Sequence, residues 1–290
     1  LARKLGLDPR SLLDDVPRFV WSEAKFKNLS AETAEERAAM MSFGTSIGRS
    51  LLFGTPKHSS IVGTAAMDIR TNILAQQPFV RLQDLLGLAW GVGIPVIHLR
   101  VFPLTTKHMC AMSIACKGRF AILLGKDSNY PAPIAYYLAH EIAHIALEHL
   151  QDGQGVIDIE DPLAAANAGD EEEMAADRYA LELLTGSPQP IIKTSASKYS
   201  AAQLAKSVTQ AAAEVRTEPG TLALCFGHST GDWEKAYGAM KVIYPKPQPA
   251  WEVVNAVAGK QLDWSAIPED LGFFLQAAMG KTYDDHGGDR

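Results

Sequence analysis

Two histidines four residues apart, His140 and His144, sit inside a run, Tyr136 to Leu147, that is apolar but for them and Glu141. Few features restrict a chain more. On a helix, positions i and i+4 stand one above the other, so Tyr137, His140, His144 and Leu147 form one stripe flanked by Leu138, Ile142 and Ile145. Such a stripe faces a core, and imidazoles placed there are costly unless they have partners. A helix with two surface histidines would show polar neighbours, and these neighbours are apolar.

The segment reads His140-Glu141-Ile142-Ala143-His144, a spacing that places two imidazoles where they can take two sites of a tetrahedral zinc ion. Glu141 is rotated by about 100° from His140. It therefore cannot join the same shell, but it can take a proton from water held beside the metal. A third ligand must come from elsewhere. Asp170-Glu-Glu-Glu-Met-Ala-Ala-Asp-Arg-Tyr-Ala-Leu-Glu-Leu-Leu opens a second helix with several carboxylates. Glu173, Asp177, Ala180 and Leu184 fall on one stripe, whereas Glu171 and Glu172 point elsewhere. Glu173 is thus expected as the third ligand, with Asp177 one turn on orienting an imidazole through its second nitrogen. Asp170 and Glu173 also have capping-box spacing, but capping does not explain Asp177.

These motifs together resemble the ImmA/IrrE family of metallopeptidases. The resemblance rests on His140 to His144, on the glutamate 29 residues beyond His144, and on the run Glu173-x-x-Ala176-Asp177-x-Tyr179-Ala180-x-Glu182-Leu183-Leu184. Gly93-Ile-Pro-Val and the strand Arg119 to Leu124 ahead of the histidine helix fit the same pattern, so that roughly residues 75–186 are covered. Ala175 departs from it, since the family often carries glutamate there. The resemblance implies a zincin-like fold, a Zn²⁺ cofactor, and cleavage of a DNA-binding repressor or antitoxin-like protein. It also implies that the strand ending near Leu124 receives the substrate as an added strand. Tyr136, Tyr179 and His228 are all possible oxyanion stabilisers, and spacing does not choose among them. The competing reading is a regulator without proteolysis, in which the two helices form a metal or ligand sensor; retention of Glu141 counts against it. A metal-independent structural module is the third reading.

The remaining residues set the frame. The chain has 290 residues, 47% apolar and 21% charged, which suits a packed core. Its net charge of −6 is concentrated between Asp152 and Leu183, where ten acidic side chains face one basic residue, Arg178. No basic stripe of the kind that tracks phosphates is present, so direct nucleic-acid binding is not expected. The longest apolar stretch, Leu85 to Ile97, is shorter than the roughly 20 residues of a membrane span. No leader pattern is read near the start. Cys110, Cys116 and Cys225 form neither a metal motif nor a disulfide framework, which fits a reducing cytoplasm.

The expected architecture is α+β and mostly helical, with a sheet of about three strands beside the histidine helix. Residues 1–30 hold either the end of a helix-turn-helix unit (Leu1 to Leu13) or a capping helix pair, plus a linker. Residues 31–186 form the metallopeptidase unit, and residues 187–290 form a helical C-terminal region. Helices are expected from Ser30 to Thr55, from Gln77 to Trp90, from about Pro131 to Gln151 and from Asp170 to Thr185. Further ones are expected over Ala201 to Val215, Gly220 to Cys225, Asp232 to Val242 and Pro268 to Met279. Strands are expected in Ile94 to Phe102, Met109 to Ala115 and Arg119 to Leu124, with Lys117-Gly118 as a hairpin turn. His98 and His108 lie among these strands and are read as satisfied or exposed residues. His228 is read as structural or loop-exposed.

Overall fold

The computed structural model describes residues 34–57, 59–101, 109–152, 155–158, 170–192 and 198–280, with position 10 and a short strand at Lys25–Lys27. The expected helix pair at Leu1 to Leu13, His108, most of the acidic loop and the tail after Gly280 lie outside the described residues.

The fold is α+β and mostly helical. In chain order it runs β1 (Lys25–Lys27), α1 (Ala34–Phe53), α2 (Ala66–Leu74), α3 (Leu82–Gly91), β2 (Val96–His98), β3 (Ala111–Cys116), β4 (Arg119–Leu124) and α4 (Pro131–Ala146). It continues with β5 (Gly155–Asp158), α5 (Glu171–Thr185), α6 (Ala201–Val215), α7 (Pro219–Thr230), α8 (Trp233–Ile243), α9 (Ala250–Gln261) and α10 (Glu269–Ala278).

Among the described residues the sheet has five strands in the order β1-β5-β3-β4-β2, two more than the three the sequence marks out. The two extra strands escape a sequence reading because they are three and four residues long. That is too short for alternation to show. β3 and β4 form the expected hairpin. Lys117 (φ 52°) and Gly118 (φ 67°) both take the left-handed conformation that a two-residue type I′ turn requires. The register pairs Met112 with Leu123 and Ser113 with Ile122.

Side chains alternate across the sheet. Val96, Ala111, Ile122 and Leu124 join the core shared with α4, while Ile97, Met112, Ile114 and Leu123 join a second core under α1 and α10. A sheet covered on both faces reads as apolar runs, which is why β2, β3 and β4 stand out in the sequence. Gly44 and Gly48 let α1 lie close to β3: a Cβ at Gly44 would fall 2.2 Å from Met112 Sδ, and one at Gly48 2.8 Å from Ile114 Cδ1.

One expectation fails here. β4 pairs antiparallel with β3 on one side and parallel with β2 on the other. Over Ile122–Leu124 both edges of β4 are taken, so the end of the strand near Leu124 has no free edge for a substrate strand. The outer edge of β2 is itself capped by α9: Asn255 Oδ1 accepts from His98 N at 2.8 Å, and its Nδ2 donates to His98 O at 2.8 Å. The His98 ring is buried, with Nδ1 3.0 Å from Leu99 O and Nε2 3.0 Å from Lys126 O; a neutral ring donates to one of these two carbonyls.

Helices α2 and α9 had no counterpart in the sequence reading. The buried face of α2 includes Arg70, and that of α9 is Ala250, Val254, Asn255 and Ala258; charged, polar and small residues there mask the apolar period. The Arg70 guanidinium donates to Leu184 O at 2.7 Å and Arg216 O at 2.7 Å, tying down the C-terminal ends of α5 and α6. Arg216 reciprocates at the end of α2, donating to Leu74 O at 2.5 Å. Among the described residues no helix is long and apolar enough to cross a membrane.

Candidate metal centre

Helix α4 starts on Pro131, where a missing N–H costs nothing, and every residue from Ala132 to Ala146 is buried. Its histidines are therefore held in a dry environment. His140 is 1% exposed, and His144 and Glu141 are 0% exposed. Helix α5 packs along α4. Asp170 caps α5, accepting from Glu172 N at 3.0 Å and Glu173 N at 3.3 Å, and Gly186 ends the helix in the left-handed conformation with φ 85°.

This pairing brings together the residues that the sequence singled out. His144 Nε2 lies 3.0 Å from His140 Nε2. Glu173 Oε2 lies 3.2 Å from His140 Nε2, and its Oε1 3.4 Å from His144 Nε2. Glu173 is 3% exposed, whereas Glu171 is exposed and Glu172 partly so. Asp170 makes the cap while the Glu173 carboxylate turns inward to the imidazoles.

The three residues could hold a metal ion, and their geometry passes a simple test. Donors each about 2.0–2.1 Å from a common tetrahedral centre lie about 3.3 Å apart; the two imidazole nitrogens are 3.0 Å apart, and each has a different oxygen of the Glu173 carboxylate beside it, at 3.2 and 3.4 Å. Proton placement agrees. His140 Nδ1 sits 3.0 Å from Asp177 Oδ1, a carboxylate that can only accept. The ring proton is thus drawn to Nδ1, and Nε2 presents its lone pair inward. Two imidazole nitrogens and a carboxylate facing one another out of water require a cation between them, a metal or a shared proton.

Glu141, about 100° round α4 from His140, reaches β3, where Ser113 Oγ donates to its Oε2. The sequence reading did not include Ser113. Its only signal is a hydroxyl inside the run Met112-Ser113-Ile114, at a position fully buried in the structure. Among the oxyanion candidates, Tyr136 donates its hydroxyl to Asp177 Oδ1 at 2.7 Å and Tyr179 to Thr64 O at 2.7 Å. Burial raises the pKa of Tyr179 well above that of an ordinary phenol. His228 lies exposed in the last turn of α7. His149 was also missed. The sequence reading extended α4 to Gln151, but the helix ends at Ala146 and the chain folds back, placing His149 Nδ1 2.9 Å from His144 Nδ1.

Compared with protein-family models, with curated proteins and with solved structures, the chain has no significant match.

Proposed function

We propose that the chain is a zinc-dependent metallo-endopeptidase of the ImmA/IrrE kind, acting in the cytoplasm on a DNA-binding repressor or antitoxin-like protein. The observation that carries this reading is the convergence of His140 Nε2, His144 Nε2 and the Glu173 carboxylate at separations of 3.0–3.4 Å, with Glu141 one residue along the same helix. Three protein ligands leave a fourth position for water or substrate, the arrangement of catalytic rather than structural zinc.

Zinc bound there would lower the pKa of water towards about 7 and polarise the scissile carbonyl. The protein supplies the rest. Asp177 holds the His140 ring in the tautomer whose Nε2 faces inward. Ser113 anchors one oxygen of Glu141, and Glu141 takes the proton of the attacking water and passes it to the leaving amine. The substrate class rests on the family resemblance, and the compartment rests on Cys110, Cys116 and Cys225 forming no disulfide.

One observation favours a second reading, a metal- or ligand-sensing regulator without proteolysis. The three ligands and Glu141 are all 0–3% exposed, so peptide hydrolysis requires the site to open. Metal analysis of protein purified without added metal, followed by incubation with a small repressor encoded beside it, separates the two. Zinc at one per chain with cleavage supports the peptidase. Zinc without cleavage, and regulation in cells that survives Glu141→Gln, supports the sensor. Protein that binds no zinc, even when zinc is supplied, overturns both zinc readings.

A further inference from the structure

We propose that His149 is a positioning residue for His144: it accepts the Nδ1 proton of that ring and so decides whether Nε2 offers a lone pair to the metal. The proposal rests on the metal centre described above and extends it to a residue outside the His-Glu-x-x-His motif.

The placement is a product of how α4 ends. Glu148 takes a left-handed conformation, φ 61°, which is disfavoured for any residue with a Cβ. The chain reverses there, and His149 N donates back to His144 O at 2.9 Å, closing the helix as a Schellman turn does. Had α4 run on, residues 144 and 149 would stand about 140° apart around its axis and their rings could not meet. Instead the two rings cross at 64° with centroids 5.1 Å apart. Their Nδ1 atoms are 2.9 Å apart.

A hydrogen bond between two ring nitrogens holds one proton, carried by one partner. If His144 Nδ1 carries it, the neutral His144 ring leaves Nε2 bare, facing His140 Nε2 and Glu173 Oε1. His149 then accepts at Nδ1 and keeps its own proton on Nε2. If His149 Nδ1 carries it, the neutral His144 ring must hold its proton on Nε2, in the place a metal would occupy. Metal ligation therefore selects the first arrangement, and His149 makes that arrangement available. The two ligands are held differently. Asp177 can only accept, so His140 has one choice, whereas His149 can accept or donate and leaves His144 two. His149 is half-buried and links a fully buried ligand to the rim of the site.

The test compares wild type with His149→Ala and His149→Asp by zinc titration against a chromophoric chelator, with thermal unfolding of each metal-free protein as the control for folding. Loss of the acceptor in His149→Ala is expected to weaken zinc binding by about 10–100-fold. His149→Asp supplies an obligate acceptor and is expected to restore affinity to the wild-type level or better. In zinc-loaded, ¹⁵N-labelled wild type, imidazole NMR is expected to show a coupling across the hydrogen bond between His144 Nδ1 and His149 Nδ1, with His149 protonated on Nε2. Unchanged zinc affinity in His149→Ala overturns the proposal and leaves the metal centre standing. So does a loss that Asp fails to rescue, since the ring's packing and not its acceptor would then matter. If the alanine variant does not fold, the wild-type spectrum decides, and absence of the coupling overturns the proposal. Wild type that binds no zinc overturns the metal centre and this proposal together.

Discussion

Asp177 Oδ1 lies 3.0 Å from His140 Nδ1 and accepts the Tyr136 hydroxyl at 2.7 Å, so one carboxylate oxygen joins a buried imidazole of α4 to a phenol one turn earlier on the same helix. The carboxylate is 22% exposed and the imidazole 1%. Truncating it leaves the ring free to turn without exposing the ring's metal-facing edge. Asp177→Ala is therefore expected to weaken zinc binding by about 10–100-fold while Tyr136→Phe, which removes one neutral donor, costs less than about tenfold. Chelator competition measures both. Equal losses would mean that Tyr136, not the carboxylate, orients the ring.

The three adjacent glutamates of α5 should separate cleanly. Glu173 alone turns its carboxylate to the histidines, so Glu173→Ala should cut zinc affinity by far more than Glu171→Ala or Glu172→Ala. The latter two lose only favourable charge at the helix N-terminus, a few tenths of a kcal/mol. Because Asp170 makes the cap, Glu173→Gln should also weaken zinc. Retained affinity in Glu173→Gln would show that the carboxylate charge is not needed at the metal.

Glu141→Gln preserves shape and leaves His140, His144 and Glu173 in place. Zinc content should stay at the wild-type level while cleavage of the cognate protein falls by about 10²–10⁴-fold. Single-turnover cleavage beside metal analysis of the same preparation checks both halves. Loss of zinc in this variant would assign Glu141 to holding the site together instead.

Arg70 is 4% exposed, and its guanidinium ends on carbonyls at the C-termini of two helices. Burial is the main cause lowering its pKa, with Arg216 adding repulsion. Replacing it strips several buried carbonyls of a charged donor, so Arg70→Met should cost about 2–4 kcal/mol of stability. Urea denaturation with the slope held fixed measures it. A change below about 0.5 kcal/mol would mean that water replaces the guanidinium.

His98 gives stability a defined pH dependence. Burial dominates and lowers its pKa, although the carbonyls of Lys126 and Leu99 and the Asp127 charge oppose that. The unfolded chain then takes up a proton at a pH where the folded protein does not. Stability should be complete above about pH 6.5, fall as pH drops below it, and level off under the folded pKa. Denaturation midpoints from pH 7.5 to 5 should flatten in His98→Gln relative to wild type. Parallel curves for the two proteins would assign the slope to other groups.

Much of the site was legible because it is local. Four-residue spacing on a helix places His140 above His144 whatever surrounds them, and the same phase sets Glu173 and Asp177 apart from Glu171 and Glu172. Asp170 as cap, Gly186 as stop and Lys117-Gly118 as turn are decided by the backbone preferences of a few adjacent residues. The contacts that complete the centre are different in kind. Ser113 meets Glu141 across 28 positions, and Arg70 reaches Arg216 across 146, and neither residue carries a pattern of its own. β1 and β5 are too short to show a period and exist by pairing with β3 and with each other. His149 turns back on His144 because Glu148 adopts a conformation that its own side chain disfavours and only the packed fold can hold. By itself the sequence determined which atoms can meet a metal, since helix geometry is fixed by hydrogen bonds within one segment. The tertiary structure decided how those atoms are oriented and kept from water, since burial and proton placement depend on residues far away in the chain.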